Sequence, residues 1–318
     1  MIKIGAIFVG QGAQYAGMGL KLRNYPTGKE TFKEANDVLE MDIEKLCCEG
    51  TDRELADTAV TQPVIVTCSI AMFRVFTAKE VSIPELDSFN ISATAGLSVG
   101  EYSALVASGS LSFASALRLV QERGKLMAEA GKINPGIMVA IMGLDAETVK
   151  SVCKTASSHG VVQPANYNSP GQIVISGEKE AIQIASELAQ KAGAKRCIPL
   201  DVSGAFHSPL MRPAEMGLRK ALNEVSFSKP NIPFIANVTG NYIDDPEELK
   251  ENLALQLTNS IQWETDVLRM VRDGIETFIE FGPGKVLSGL VRRIHQKAKV
   301  FSIEERLKIE DLRLKIED

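Results

Sequence analysis

A parallel α/β sheet, with a smaller β-α-β-β-α-β unit set into the chain, is the architecture this sequence predicts. Three observations predict it. Short apolar runs that stop at glycine turns alternate with helical patterns through the first part of the chain. The middle has a different rhythm, with two strand-like runs back to back between helices. After Val202 the mixed α/β alternation returns.

Residues 2–9 are a short apolar run ending at Gly10, which suits a buried strand. A glycine-rich turn follows, and helical patterns cover 29–49 and 62–77. Residues 89–95 form a second strand that leads into Gly96-Leu97-Ser98-Val99-Gly100 and a helix from Glu101. A further helix covers 113–130. In the middle, 137–143 is short and apolar, and 145–157 is helical with Asp145 as N-cap. Strands at 161–166 and 172–176 meet at Asn168-Ser169-Pro170-Gly171. A helix at 178–192 and a strand at 195–202 complete the order of a split ferredoxin-like unit. Beyond it come a strand at 234–237, a helix at 246–257, a strand at 277–280 and a helix at 286–297. The expected domains are a discontinuous large one, 1–132 with 203–305, and a small one, 133–202. In the tail, 306–318, Leu307-Lys308-Ile309-Glu310-Asp311 recurs as Leu314-Lys315-Ile316-Glu317-Asp318. No function is placed there.

Composition narrows the function class. The chain is 45% hydrophobic and 24% charged, enough for an ample globular core. A net charge of −5 gives no global basic footprint for nucleic acid, so an acidic partner would need a local basic patch. No apolar run approaches the ~18 residues of a membrane span. The start, Met1-Ile2-Lys3-Ile4, lacks the long apolar region of a signal peptide. Five cysteines, an odd number without a Cys-x-x-Cys pair, point to a reducing cytoplasm and no structural metal site.

Gly96-Leu97-Ser98-Val99-Gly100 has the Gly-x-Ser-x-Gly spacing of a nucleophile elbow. A strand before it and a helix after it expose the serine on a tight turn and aim helix N–H groups at the site. A plain βα turn is the bland alternative. Serine needs a base, and the chain has three histidines. His159 lies in a polar loop and His295 at a basic helix end, both surface settings. His207, in Gly204-Ala205-Phe206-His207-Ser208-Pro209, follows a strand on a loop and is the candidate base. Asp201 is near enough in sequence to orient it, or is a strand-end surface residue; both readings stay open. Gly10-Gln11-Gly12 is no dinucleotide fingerprint, because Tyr15 stands where the third glycine belongs. It is a plain βα turn or a presenter of backbone N–H groups to an oxyanion. Arg123 lies on a helix among Leu119, Val120, Leu126 and Met127. By spacing alone it reads as a solvated arginine, with a grip on a carboxylate as the alternative.

Taken together, these motifs resemble the malonyl-CoA:acyl carrier protein transacylases of bacterial fatty-acid synthesis and the related acyltransferase domains of fatty-acid and polyketide synthases. The carriers are Phe8-Val9-Gly10-Gln11-Gly12-Ala13-Gln14, Thr61-Gln62-Pro63, the elbow through Leu105, Gln121-Glu122-Arg123-Gly124, Asn168-Ser169-Pro170-Gly171-Gln172, Gly204-Ala205-Phe206-His207-Ser208, and Glu280-Phe281-Gly282-Pro283-Gly284-Lys285-Val286-Leu287. They run along the chain to about Phe301. The resemblance implies an α/β-hydrolase-like large domain with a ferredoxin-like insert. It implies transfer of malonyl from malonyl-CoA to the pantetheine thiol of acyl carrier protein, for fatty-acid synthesis; a stand-alone polyketide role uses the same residues. Ser98 is then the acylated nucleophile, His207 its base, and Arg123 the holder of the malonyl carboxylate. The Gln11 and Val99 amides make the oxyanion hole. The backbone carbonyl of Gln256 orients the histidine, which lowers Asp201, and Phe206 crowds the acyl group. No metal or bound cofactor is required, because a thioester is already an activated donor. Carrier proteins are acidic, and Lys195, Arg196, Arg292, Arg293, Lys297 and Lys299 are candidates for a docking patch. Two positions depart from many relatives: Leu97 replaces a histidine and Val9 a proline.

Overall fold

The computed structural model describes residues 1–86 and 88–309. The repeat after Ile309 therefore lies outside the described residues. Strand β1 (Ile2–Phe8) is buried from Ile4 onward, and an unbroken apolar run suits a strand covered on both faces. Where one helix over 29–49 was expected, there are two, α1 (Pro26–Leu39) and α2 (Ile43–Glu49). The break falls at Glu40, in the left-handed region at φ 51°, and Asp42 starts α2 by accepting from the Lys45 amide. A single turn, α3 (Asp52–Leu55), is fixed by a reciprocal Thr51–Glu54 capping box.

Helix α4 (Thr58–Thr77) is longer than expected, mainly apolar and mostly buried. Its 20 residues include an 18-residue window of mean hydropathy 1.5, long and apolar enough by composition to cross a membrane, against the expectation that no apolar run approaches that length. That window is 78% buried among the other elements, so α4 is the core helix here. Strand β2 (Phe89–Gly96), helix α5 (Gly100–Ala107) and helix α6 (Phe113–Ile133) follow.

The middle unit is β3 (Ile137–Met142), α7 (Ala146–Ala156), β4 (Val162–Ser169), β5 (Gln172–Gly177), α8 (Lys179–Lys191) and β6 (Arg196–Pro199). Its four strands form an antiparallel sheet in the order β4-β5-β3-β6, with a core of its own. Asp145 caps α7 by accepting from the Thr148 amide. The remaining elements are α9 (Arg212–Asn223), β7 (Phe234–Ala236), β8 (Asn241–Ile243), α10 (Pro246–Leu255), α11 (Trp263–Arg272), β9 (Thr277–Phe281), α12 (Val286–Ile294) and β10 (Lys299–Ser302).

The larger sheet has the order β10-β9-β1-β2-β7-β8. It is parallel through β7, whereas β8 runs antiparallel at the edge, a departure from a wholly parallel sheet. The departure follows from the short turn between β7 and β8, since a tight turn joins only antiparallel neighbours. β1 and β2 lie side by side at the centre, so the loops at their C-terminal ends, holding Gln11 and Ser98, meet in one place. Beneath them Phe8, Phe73, Phe76 and Phe281 pack ring to ring, with Phe281 at 5.3 Å from both Phe8 and Phe73. The small sheet is tied through β4 to the segment between α10 and α11: the Tyr167 amide donates to the Ile261 carbonyl at 2.9 Å and the Ile261 amide to the Ala165 carbonyl at 2.8 Å.

Phe281 is fully buried and central to that cluster. Phe281→Ala is expected to lower unfolding free energy by about 3–5 kcal/mol in denaturant titration, with the slope of the transition unchanged.

Candidate active site

Ser98 sits between the end of β2 and the start of α5, with its backbone at φ 53°. A non-glycine residue reaches that region only at a cost of about 1–3 kcal/mol, and the surroundings must hold it there. Two close approaches hold it. A Cβ on Gly96 would fall 2.0 Å from the carbonyl of Gly100, and one on Gly100 would fall 2.3 Å from the Phe8 carbonyl oxygen. Only glycine lets strand β2, helix α5 and strand β1 come this near.

His207 also has a left-handed backbone, at φ 57°, and is 4% exposed. Its Nε2 lies 2.9 Å from Ser98 Oγ. Its Nδ1 lies 2.7 Å from the Gln256 carbonyl oxygen. A carbonyl can only accept, so Nδ1 carries the proton and Nε2 faces the serine with a free lone pair. Gln163, from β4, donates from Nε2 to the His207 carbonyl at 2.8 Å and to the Thr258 carbonyl at 3.1 Å. Asp201 does not reach the ring: it is exposed on the cavity rim, and the place it would take belongs to Gln256.

Arg123 is 1% exposed, which corrects the solvated reading that spacing alone suggests. The α6 face that carries it is buried against α4, so an apolar neighbourhood here meant burial of the arginine too. It donates from Nη1 to Gln62 Oε1 at 2.8 Å, and from Nη2 to Ser98 Oγ at 3.1 Å and Gln256 Oε1 at 2.9 Å. Tyr102 and Glu101 are its ionisable neighbours, and Glu101, 1% exposed, accepts from the Asn237 amide at 2.6 Å and from the Gln256 side chain. Burial pushes the Glu101 carboxyl up to about 8, although those donors and Arg123 pull it down. Burial, then the positive charge of Arg123, lowers His207 to about 4, against the pull of the Gln256 carbonyl. The base is therefore neutral near pH 7.

A cavity of about 520 Å³ opens over these groups, bounded among others by Gln11, Leu97, Met127, Phe206 and His207. Phe206 is buried at its wall. Among the described residues, no acceptor is paired with the Gln11 or Val99 backbone N–H. A second cavity of about 630 Å³, lined by Lys3, Tyr242 and Asp273, holds none of these groups.

Ser98, His207, Arg123 and Gln256 are thus joined in one hydrogen-bonded cluster, with Phe206 and Gln11 lining the cavity beside it and Val99 next to Ser98 in the chain. His159 is exposed and His295 half-buried, both away from the cavity. Sequence reasoning gave no role to Gln62, Glu101, Asn237 or Asp266, all buried beneath the serine. Asp266 had a signal: it is an acid on the apolar stripe of Trp263, Val267 and Met270. Glu101 had one too, as a charge in the first turn after the elbow among buried residues.

Residues 6–306 match the acyl transferase domain family. The chain is 42% identical over 312 residues to the malonyl CoA-acyl carrier protein transacylase of Bacillus subtilis, covering 98% of this chain and 96% of the relative. The chain belongs to the malonyl-CoA:acyl carrier protein transacylase family. Among solved structures it is similar to an acyl-carrier-protein S-malonyltransferase from Burkholderia pseudomallei, at TM-score 0.92 and 39% identity, covering 97% of this chain and 99% of that one. It is also similar to a malonyl-transacylase solved in complex with its type II PKS acyl-carrier protein, at TM-score 0.90 and 39% identity over 96% and 97% of the two chains. Leu97 borders the cavity and Val9 is fully buried, and neither departure touches a residue to which a chemical role is assigned.

The His207 ring should titrate near pH 4 when followed by NMR, in place of the usual 6.5. Because the folded value is the lower one, this histidine favours the folded state above pH 6.5, and that contribution is lost as pH falls from there through about 4. A ring midpoint near 6.5 would contradict the burial argument.

Proposed function

We propose that this protein transfers a malonyl group from malonyl-CoA to the pantetheine thiol of an acyl carrier protein, through a malonyl ester on Ser98. The observation that carries the reading is the guanidinium of Arg123, buried to 1% exposure with Nη2 3.1 Å from Ser98 Oγ. A fixed cation beside a nucleophile selects an acyl group that ends in a carboxylate.

The steps follow from the geometry. The malonyl carboxylate pairs with Arg123, and Phe206 limits bulk near its α-carbon. Ser98 Oγ attacks the thioester carbon while His207 Nε2 takes its proton. Charge on the carbonyl oxygen is met by the Gln11 and Val99 amides. The CoA sulfur leaves and takes the proton from His207, giving malonyl-Ser98. The pantetheine thiol of the carrier then enters, gives its proton to His207 and attacks the ester, and Ser98 recovers its proton on leaving. This is ping-pong transfer with neither metal nor redox step. The Gln256 carbonyl holds the histidine tautomer throughout.

The reading extends to organisation. Residues 1–132 with 203–305 act as an α/β-hydrolase-like domain, and 133–202 as a ferredoxin-like one; the β-α-β-β-α-β order and the antiparallel β4-β5-β3-β6 sheet support the second label. The cavity between them admits the acyl and pantetheine groups. Exposed Lys195, Arg196, Arg292, Arg293, Lys297 and Lys299 form the docking surface for the acidic carrier. The setting is the cytoplasm, where thiols stay reduced; all five cysteines are free.

A serine hydrolase shares the elbow and the base. Supplying malonyl-CoA with carrier protein separates the two activities: malonyl-carrier is expected, and free malonate as the main product would overturn the proposal. Arg123→Ala should lower malonyl transfer by ~10²-fold, the loss of a charge-assisted pair, and raise acetyl transfer relative to malonyl. Unchanged selectivity would remove Arg123 from its role.

A further inference from the structure

We propose that Asn237 is a positioning residue for this reaction, setting nucleophile and base as one unit; this rests on the acyl-Ser98 reading above. Asn237 lies directly after β7, is fully buried and does not border the cavity. Its Oδ1 accepts from the Ser98 amide at 2.8 Å and from Gln256 Nε2 at 3.3 Å. Its Nδ2 donates to the Gly96 carbonyl and to Asp266 Oδ2, both at 2.8 Å. Its backbone amide donates to Glu101. The side-chain amide thus uses both acceptor positions and both donors.

Two of these bonds matter for chemistry. The bond to the Ser98 amide pins the residue whose φ of 53° must be enforced from outside. Without it a buried N–H is left unpaired, and the turn can relax toward ordinary helical backbone, carrying Ser98 Oγ away from His207 and Arg123. The bond to Gln256 steadies the residue whose carbonyl holds His207 Nδ1 and whose Oε1 holds Arg123. Asn237 therefore couples the serine, the histidine and the arginine without touching substrate. An ionised aspartate has no donors, and an aliphatic side chain has neither kind of group, so the amide alone meets all four partners.

The test is stopped-flow release of CoA from malonyl-CoA by wild type, Asn237→Ala and Asn237→Asp, from about pH 5 to about pH 9, with thermal melts at each pH. Asn237→Ala should lower the acylation rate constant by ~10²-fold while KM for malonyl-CoA stays within about threefold. In Asn237→Asp the buried carboxyl titrates above its usual range, and only its protonated form can donate. That variant should be more active at low pH and lose activity as pH rises, on a limb absent from the wild type and not matched by its melting temperature. Acylation by Asn237→Ala within threefold of wild type, or a wild-type rate and pH profile in Asn237→Asp, would overturn the proposal. If Asn237→Ala does not fold, the Asn237→Asp profile decides. Failure of the wild type itself to release CoA would instead overturn the acyl-Ser98 reading.

Discussion

The left-handed backbone of Ser98 requires strand β1, strand β2 and helix α5 to meet with no side chain between them. Gly96 and Gly100 make that contact, with would-be Cβ positions 2.0 and 2.3 Å from neighbouring backbone. Their absent side chains are why the serine can leave the sheet, face the cavity and be followed at once by a helix start. The order of the large sheet serves the same end. With β1 and β2 adjacent, Gln11 and Ser98 emerge side by side, and the β7 end brings Asn237 to the back of the turn. The phenylalanine cluster around Phe281 fills the space below.

Burial of Arg123 is the second constraint. A cation at 1% exposure needs compensation, and it comes from the acceptor oxygens of Gln62, Gln256 and Ser98. Burial first, and the same charge second, keep His207 neutral, which suits a base. The histidine is oriented by a backbone carbonyl, so no further carboxylate stands next to it to compete for the arginine. Two carboxyls, Glu101 and Asp266, lie deeper, and burial raises both, Asp266 well above the usual range. The network under the elbow thus joins one cation to acids that share its buried setting, with Asn237 and Gln256 as the amide links between them.

Much of this was legible because the carriers of chemistry sit on local motifs. Ser98 announces itself through two glycines, and His207 through a loop flanked by glycine and proline. The central strands read as apolar runs because both faces are covered. Edge strands β8 and β10 were missed: with three and four residues, and only partial burial, they leave no periodicity to see. Helices α9 and α11 were passed over although Trp263, Val267 and Met270 mark a helical stripe. Arg123 was misjudged because spacing cannot separate an arginine beside an apolar face from one inside it. Asn237 and the Gln256 side chain reach Ser98 from 139 and 158 residues away, and nothing local in either segment encodes that meeting.

The central claim is a malonyl ester on Ser98, and intact mass spectrometry tests it most directly. The protein is mixed with malonyl-CoA alone, quenched in acid and weighed beside Ser98→Ala. The account predicts a malonyl adduct on the wild type, mapped to the peptide containing Ser98, absent from the variant and discharged by carrier protein. No adduct on the wild type, or the same adduct on Ser98→Ala, would contradict it.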